Sequence, residues 1–436
     1  MYHLLIGECR RFKIGSLLPF FIYMSSIIEQ IASQQVWEEY LARSLTKGRF
    51  YWDEFEAMDE FVEREEYISI VRHISEGGKF SIPQKRAVNK SGSNKKRIVY
   101  TYRNDEMSVL KVIAHLLYKY DDCFAPNCYA FRRGIRVTDA MRKVFHAVQN
   151  RNLWAYKLDI QNYFNSISIP ILLPQLKQIF ADDLALYNLF EAILSDNRAE
   201  YNGEIIEEQH GAMAGIPIAS FLANVYLNEV DHYFSEHGII YARYSDDIII
   251  FAEDYDTLMQ HKGVILGFLK EYKLNVNPSK ERIYTPDEPY EFLGFKCHGK
   301  SIDISKVGIE KMKGKIRRKT RSILRWKQRK GISSEKAMAR LIGRFNRVFF
   351  EQSSLEQSLT WSRWYFPIIN STERLREIDH FLQQKIRVVA AERHNKSMYN
   401  ITYDTLKRLG YKSLVNEFYK QRKQVFAEIN NKKKEQ

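Results

Sequence analysis

The run Tyr241-Ala242-Arg243-Tyr244-Ser245-Asp246-Asp247-Ile248-Ile249-Ile250-Phe251 sets two adjacent aspartates between stretches of β-branched and aromatic residues. Such flanks favour strands, and a short polar break between two strands favours a hairpin bend. The pattern predicts a hairpin with Ser245-Asp246 at its turn, presenting carboxylates at the end of a buried sheet. Two neighbouring anions in apolar surroundings repel each other and lose hydration, so a cation is the natural compensation. Magnesium suits that role because it takes hard oxygen ligands. An ordinary aspartate-containing turn has the same sequence, so the chemistry needs a second element.

That element is Ala155-Tyr156-Lys157-Leu158-Asp159-Ile160-Gln161-Asn162-Tyr163-Phe164, a strand pattern ending in an aspartate, with an aromatic five positions later. Phosphoryl transfer with two metals requires carboxylates from separate strands to converge, because the ions sit about 3.5–4 Å apart. Asp159 taken alone reads as a structural strand-end residue. Joined to the hairpin, Asp159, Asp246 and Asp247 read as a catalytic, metal-holding set.

Working outward, Ile27 to about Leu45 carries apolar residues at helical spacing. Lys79–Tyr102 predicts two strands joined by a basic hairpin tip, and Met107 to Tyr120 predicts a helix. Strand-like runs follow at Trp154–Ile160, Ile239–Phe251 and Glu291–Cys297, and beyond about Ser305 the pattern is almost wholly helical.

Charge follows the same division. The chain has 67 Lys and Arg against 53 Asp and Glu, a formal net charge of +14. Residues 301–436 hold 32 basic and 13 acidic side chains, so the first 300 residues are net acidic. Between Lys311 and Lys330 there are eleven basic residues and no acid, with Ile316, Ile323, Leu324 and Trp326 supplying an apolar side. A helix with one strongly cationic face fits a polyanion, and nucleic acid is the commonest.

Cys9, Cys123, Cys128 and Cys297 form no C-x-x-C pair and no ligand cluster with histidine, which argues against a zinc module or disulfide framework and for a reducing compartment, the cytoplasm. No run reaches the ~18 apolar residues of a membrane span. Arg10-Arg11-Phe12-Lys13 followed by Leu17–Met24 imitates a signal peptide. Translation starting at Met24, with residues 1–23 as an upstream extension, is the preferred reading.

In this order and spacing, the Asp159 strand and the Asp246-Asp247 hairpin resemble the palm motifs of reverse transcriptases. The similarity extends from about Ile82 to Cys297 and continues more weakly into the helical end. The resemblance implies an α+β right-hand polymerase fold: fingers, a palm with an antiparallel sheet, a helical thumb and a helical C-terminal extension. The expected divisions are 1–75 (N-terminal helical extension), 76–300 (fingers and palm), 301–354 (basic thumb) and 355–436 (C-terminal extension). The implied activity is RNA-directed DNA synthesis with two magnesium ions held by Asp159, Asp246 and Asp247, with Ile160 in the metal set.

Other segments carry further implications. Ile82-Pro83-Gln84-Lys85 through Lys95-Lys96-Arg97 resembles the fingers hairpin, giving Lys85 and Arg97 a nucleotide-binding role, and Asn275–Lys280 resembles the motif whose lysine, here Lys280, approaches the triphosphate. Tyr129-Ala130-Phe131-Arg132-Arg133-Gly134 resembles a fingers segment of prokaryotic members. Gly215–Leu227 resembles the template-contacting loop and helix, which assigns Gly215, Pro217, Ser220 and Asn224 to template and primer. Phe292-Leu293-Gly294 resembles the primer-gripping strand. The basic helix takes the place of the thumb, with Lys315, Arg318, Arg321 and Arg325 on the duplex. Phe164 is expected to lie beneath the incoming sugar, where a 2′-hydroxyl would clash. Core packing is the plainer reading of Phe292-Leu293-Gly294-Phe295 taken alone, and Leu222, Tyr226, Val230 and Tyr233 form a core stripe whatever the function; for Phe164 a core position is the alternative.

Residues 301–436 are consumed by thumb and extension, which leaves no room for an RNase H domain, and no Cys/His array suggests an intron endonuclease. Residues 211–220 lack the glutamine usual in the template loop. Together these features most resemble the defence-associated, unknown-group bacterial reverse transcriptases. That implies a structured non-coding RNA and a DNA product as partners, deoxynucleotide substrates, no membrane, and a homo-oligomer or toxic effector as a possible further partner. A retron-like or group II intron-derived enzyme and an RNA-binding maturase or chaperone are the alternatives.

Overall fold

The computed structural model describes residues 26–46, 52–89, 96–351, 360–392, 398 and 400–434. Met24 with the segment before it, and the hairpin tip 90–95, lie outside that set. Among the described residues, four helices come first: Ile27–Gln30, Gln34–Thr46, Trp52–Glu63 and Glu66–Ser75. The helix expected from Ile27 to Leu45 is thus two helices.

Eleven strands of the described residues follow in chain order: β1 Gln84–Asn89, β2 Lys96–Thr101, β3 Trp154–Asp159, β4 Arg198–Tyr201, β5 Glu204–Glu207, β6 Ile240–Tyr244, β7 Asp247–Ala252, β8 Arg282–Tyr284, β9 Tyr290–Phe292, β10 Phe295–His298 and β11 Ser301–Ile304. They form sheets of order β2-β1-β4-β5, β6-β7-β3-β8 and β11-β10-β9. The β4–β5 hairpin turns on Asn202-Gly203, both at positive φ (+54° and +87°), as the tight turn between twisted strands requires.

The β6-β7-β3-β8 sheet is antiparallel throughout and divides the molecule's interior in two. Side chains alternate across a strand, and here both faces are covered. Ile248 and Ile250 of β7, with Tyr156 and Leu158 of β3, enter a core shared with the N-terminal helices and helix Tyr255–Glu271. Ile249 and Phe251, with Ala155 and Ala242, enter a second core shared with helix Val137–Val148 and the helical C-terminal region. Double coverage explains the unbroken Ile248-Ile249-Ile250-Phe251 run: neither face meets water. At about 1.5–3 kcal/mol per fully buried aliphatic or phenylalanine side chain, this strand is the firmest base available for the carboxylates at its end.

The basic helix Lys306–Lys330 packs with helices Ser334–Phe350 and Glu373–Ala391, and Leu414–Lys434 closes on the last of these. One core runs from Ile309 to Phe418, so the expected division near residue 354 is not a packing boundary. Among the described residues, no helix is long and apolar enough to cross a membrane.

Candidate active site

The turn between β6 and β7 has two central residues, Ser245 and Asp246. Ser245 alone takes positive φ, +63°. A turn this tight leaves the β7 register no slack, and Asp159 pairs directly with Asp247. Directly opposed residues of antiparallel strands project to one side with Cα atoms about 4.5–5.5 Å apart. The Ile160 N–H donates to the Asp246 carbonyl at 3.0 Å, tying the end of β3 to the turn itself. The three aspartates, from stretches 87 positions apart, therefore meet at one sheet end.

Their charges are balanced by lysines. Lys280 Nζ donates to Asp159 Oδ1, while Asn277 Nδ2 donates to Oδ2 at 3.4 Å. Lys157 lies two residues before Asp159 on the same strand face, and its Nζ comes within 3.3 Å of Asp247 Oδ1. That contact has ion-pair distance without hydrogen-bond geometry, so Asp247 Oδ1 is buried and makes no hydrogen bond. Burial first, then the neighbouring Asp159 and Asp246, push the Asp247 carboxyl up to about 6, with Lys157 opposing. Among the described residues no three acidic, histidine or cysteine side chains are already gathered in ligating geometry. The carboxylates adjoin one another, with ammonium groups drawn onto two of them.

A buried polar network, invisible in the sequence, supports the turn from behind. Arg243 and Asp231 have no exposed side-chain surface and form an ion pair. Arg243 Nε donates to Asp231 Oδ1 at 2.8 Å, and Tyr241 Oη donates to the same oxygen at 2.8 Å. Arg243 Nη1 reaches the Ser245 carbonyl at 3.4 Å and Asn224 Oδ1 at 3.3 Å, and Nη2 reaches Cys128 Sγ at 3.1 Å. Burial works against the guanidinium charge, yet Asp231 outweighs it and holds Arg243 well above its ordinary value. Asn224, expected at the template, is fully buried here, and its Nδ2 donates to the Ala130 carbonyl at 2.8 Å. That corrects its role to a structural one. An arginine inside a strand pattern was the available signal, but nothing local named its partner twelve residues away.

On the nucleotide side, the structure separates Lys85 from Arg97. Lys85 pairs with Tyr100 and Arg97 with Val88, so alternation puts the two on opposite faces of the β1–β2 hairpin. Lys85 is ion-paired with Glu208, which also accepts from Tyr100 Oη at 2.8 Å. It is held there, away from the Arg97 face, which corrects the nucleotide-binding role expected of Lys85. Arg97 lies with its Cζ 6.0 Å from the Phe164 ring centroid. Arg86, opposite Val99, shares the Arg97 face and is exposed; counting alternate positions finds it. Gly215, at φ +118°, packs where a Cβ would lie 2.7 Å from the Tyr100 carbonyl, so only glycine fits that close approach. Pro217 and Ser220 are half-buried beside it.

Of the primer-strand residues, Phe292 is fully buried and belongs to the core, which corrects its contact role. Leu293 (φ +51°) and Gly294 (φ +85°) form the tip of the β9–β10 hairpin. On the basic helix, Ile309, Met312, Ile316, Thr320, Ile323 and Lys327 face inward. Lys315, Arg318, Arg321 and Arg325 are exposed on the other side.

An antiparallel sheet with paired-strand aspartates, a basic hairpin and a cationic helix make up an α+β fold of right-hand polymerase type. Residues 88–297 match the family model described as reverse transcriptase (RNA-dependent DNA polymerase), a little under half of the chain. That segment matches as a reverse transcriptase domain. No curated protein sequence matches the chain. Among solved structures, the chain is similar to telomerase from Candida tropicalis truncated from its C-terminal domain, at 12% identity and TM-score 0.42, covering 52% of this chain and 55% of that one. It is also similar to telomerase from Candida albicans, solved with a fragment of telomeric RNA, at 10% identity and TM-score 0.43, covering 80% and 68%. Apo telomerase from Candida tropicalis gives 12% identity and TM-score 0.45, covering 86% and 76%. This chain thus spans just over half the length of the first of these proteins.

Proposed function

We propose that this enzyme extends a primer with deoxynucleotides on an RNA template by two-metal nucleotidyl transfer, with magnesium as the ion. The observation that carries the reading is the register that sets Asp159 opposite Asp247 at the end of β3 and β7, beside Asp246. The donors fit a hard divalent cation: three carboxylates at one sheet end, two attracting ammonium groups, and a buried Asp247 oxygen without a hydrogen bond. Asp159, Asp246 and Asp247, with the Ile160 backbone beside them, would hold the ions, whose chemistry is to acidify a hydroxyl and neutralise pyrophosphate.

The chain's own groups divide the remaining work. Lys280, with its side chain 47% exposed, is placed to exchange Asp159 for a phosphate oxygen. Arg97 and Arg86 present guanidinium groups from one face of the hairpin, suited to a triphosphate. Phe164 forms an apolar wall that excludes a 2′-hydroxyl by shape. Gly215, Pro217 and Ser220 line the template side, and Leu293 and Gly294 reach the primer. Lys315, Arg318, Arg321 and Arg325 bind duplex phosphates without reading sequence.

The biological setting we infer is cytoplasmic bacterial antiphage defence with a structured non-coding RNA. It rests on the sequence resemblance to defence-associated enzymes. The test is phage challenge of host cells carrying the wild-type gene or Asp246→Ala with Asp247→Ala, with sequencing of attached RNA and DNA. Protection lost in the variant, together with DNA copied from one bound RNA, is the expected result. Protection that survives the substitutions would make RNA binding, as in a maturase or chaperone, the function. A branched RNA–DNA product would move the enzyme to the retron-like class.

A further inference from the structure

Phe131 is held at φ +60°, a left-handed conformation in which a bulky aromatic residue is a genuine outlier. Burial does not account for it, because the residue remains 39% exposed. What its ring meets is Phe164: the centroids lie 6.1 Å apart with the planes at 68°, an edge-to-face pair. Arg97 lies against the same Phe164 ring.

The backbone on either side of Phe131 is tightly fixed. The Tyr129 N–H donates to the Arg243 carbonyl at 3.0 Å, and the Ala130 carbonyl accepts from Asn224. Arg132 donates through Nη1 to the Ala125 carbonyl at 2.9 Å and the Cys128 carbonyl at 3.3 Å, and through Nη2 to the Asp121 carbonyl at 2.9 Å. The Arg133 N–H donates to Asp121 Oδ2 at 2.7 Å. Strained conformations persist where surrounding structure over-determines them, and they concentrate where a side chain must be aimed. Arg243, whose backbone carbonyl takes the Tyr129 N–H, also sends its Nη1 to the Ser245 carbonyl and to Asn224 Oδ1, so the aim of Phe131 is referenced to the turn that carries the carboxylates.

We propose that Phe131 is a specificity-determining positioning residue, whose strained backbone sets its ring edge-to-face with Phe164 and fixes the orientation in which Phe164 excludes a 2′-hydroxyl. This rests on the reading of Phe164 as the wall beneath the sugar. An aromatic side chain facing open space can rotate away from one added hydroxyl; a ring packed edge-to-face against a second ring is held against that rotation. The second ring sharpens the discrimination by shape that the Phe164 wall provides.

The experiment measures kcat/KM for a deoxynucleotide and the matching ribonucleotide on a primed RNA template. The variants are Phe131→Gly, Phe131→Tyr, Phe164→Ala and the Phe131→Gly/Phe164→Ala double. Glycine is chosen because it takes φ +60° without strain, so the loop keeps its path when the ring is lost; circular dichroism and melting confirm the fold. Phe131→Gly is expected to reduce the deoxynucleotide preference by about tenfold or more through faster ribonucleotide use, with deoxynucleotide kcat/KM within about threefold of wild type. Phe131→Tyr should retain the wild-type ratio. The double variant should be no more permissive than Phe164→Ala alone, because Phe131 acts through Phe164. A Phe131→Gly ratio within twofold of wild type, or effects that multiply in the double variant, overturns the proposal while leaving Phe164 as the wall. An unchanged ratio in Phe164→Ala overturns the wall itself, and this proposal with it.

Discussion

Arg243 and Asp231 form an ion pair with no solvent-exposed side-chain surface, directly behind the turn that carries Asp246. A buried pair contributes little net stability over apolar residues of the same shape, but breaking it strands a charge. Arg243→Met should therefore cost about 3–5 kcal/mol of unfolding free energy, read from urea denaturation. Arg243→Met with Asp231→Leu should recover most of that stability without restoring activity, because the Ser245 carbonyl still lacks its donor. Full activity in the double variant would show that the network does not position the turn.

On the proposed function, the carboxylate Asp247 trades stability for activity. The folded state raises Asp247 to about 6, above its unfolded value, so protonated Asp247 favours the folded state. In chelator, stability is highest below about pH 4 with respect to this group, and falls as pH rises through about 6. Holding a carboxyl there instead of at its ordinary value near 4 costs about 3 kcal/mol before solvent screening, so about 1–2 kcal/mol is the reasonable size. Asp247→Asn should abolish nucleotide addition while raising the melting temperature at pH 8 in chelator. A lower melting temperature than wild type there would count against this electrostatic account.

On the proposed function, the exposed face of the basic helix carries phosphate affinity. Arg318→Glu with Arg321→Glu should leave the melting curve unchanged, since both side chains point outward. It should weaken RNA–DNA duplex binding and reduce the slope of log K against log salt by about 1.5–2. An unaltered salt dependence would move the duplex to another surface.

Gly215 fixes how the template loop seats on the fingers hairpin. Gly215→Ala introduces a Cβ 2.7 Å from the Tyr100 carbonyl at a φ of +118°. A loss of about 1–3 kcal/mol is expected, from strain and displacement of the loop. Thermal melting measures it; a neutral substitution would show that the loop is free to shift.

Legibility in the sequence followed physical scale. The Asp246-Asp247 hairpin was readable because strand propensity and turn chemistry act over a few residues. Its meeting with Asp159 was not local, and only the assumption of a shared metal site joined them. The β4–β5 hairpin, absent from the periodicity reading, carries the strong Asn202-Gly203 turn signal between strands too short to alternate visibly. The fingers-hairpin resemblance gives Lys85 and Arg97 one role, although strand alternation sets them on opposite faces. Asn224 and Phe292 lie within functional-looking motifs and are nonetheless buried. A motif match marks a segment, whereas burial decides which of its side chains reach a ligand. The Arg243–Asp231 pair and the strain at Phe131 depend on packing between distant segments, and no local pattern announces them.

The most direct measurement is primer extension by purified enzyme on a primed RNA template, with deoxynucleotides and magnesium, comparing wild type with Asp159→Asn, Asp246→Asn and Asp247→Asn. Removal of one metal-holding carboxylate should cost at least about 10²-fold in rate, or about 2.7 kcal/mol of transition-state stabilisation. Extension by the wild type that is lost in each folded variant is the predicted result. Extension that persists in the Asp159 and Asp246 variants, or none by the wild type, would contradict the claim that these carboxylates catalyse RNA-directed DNA synthesis.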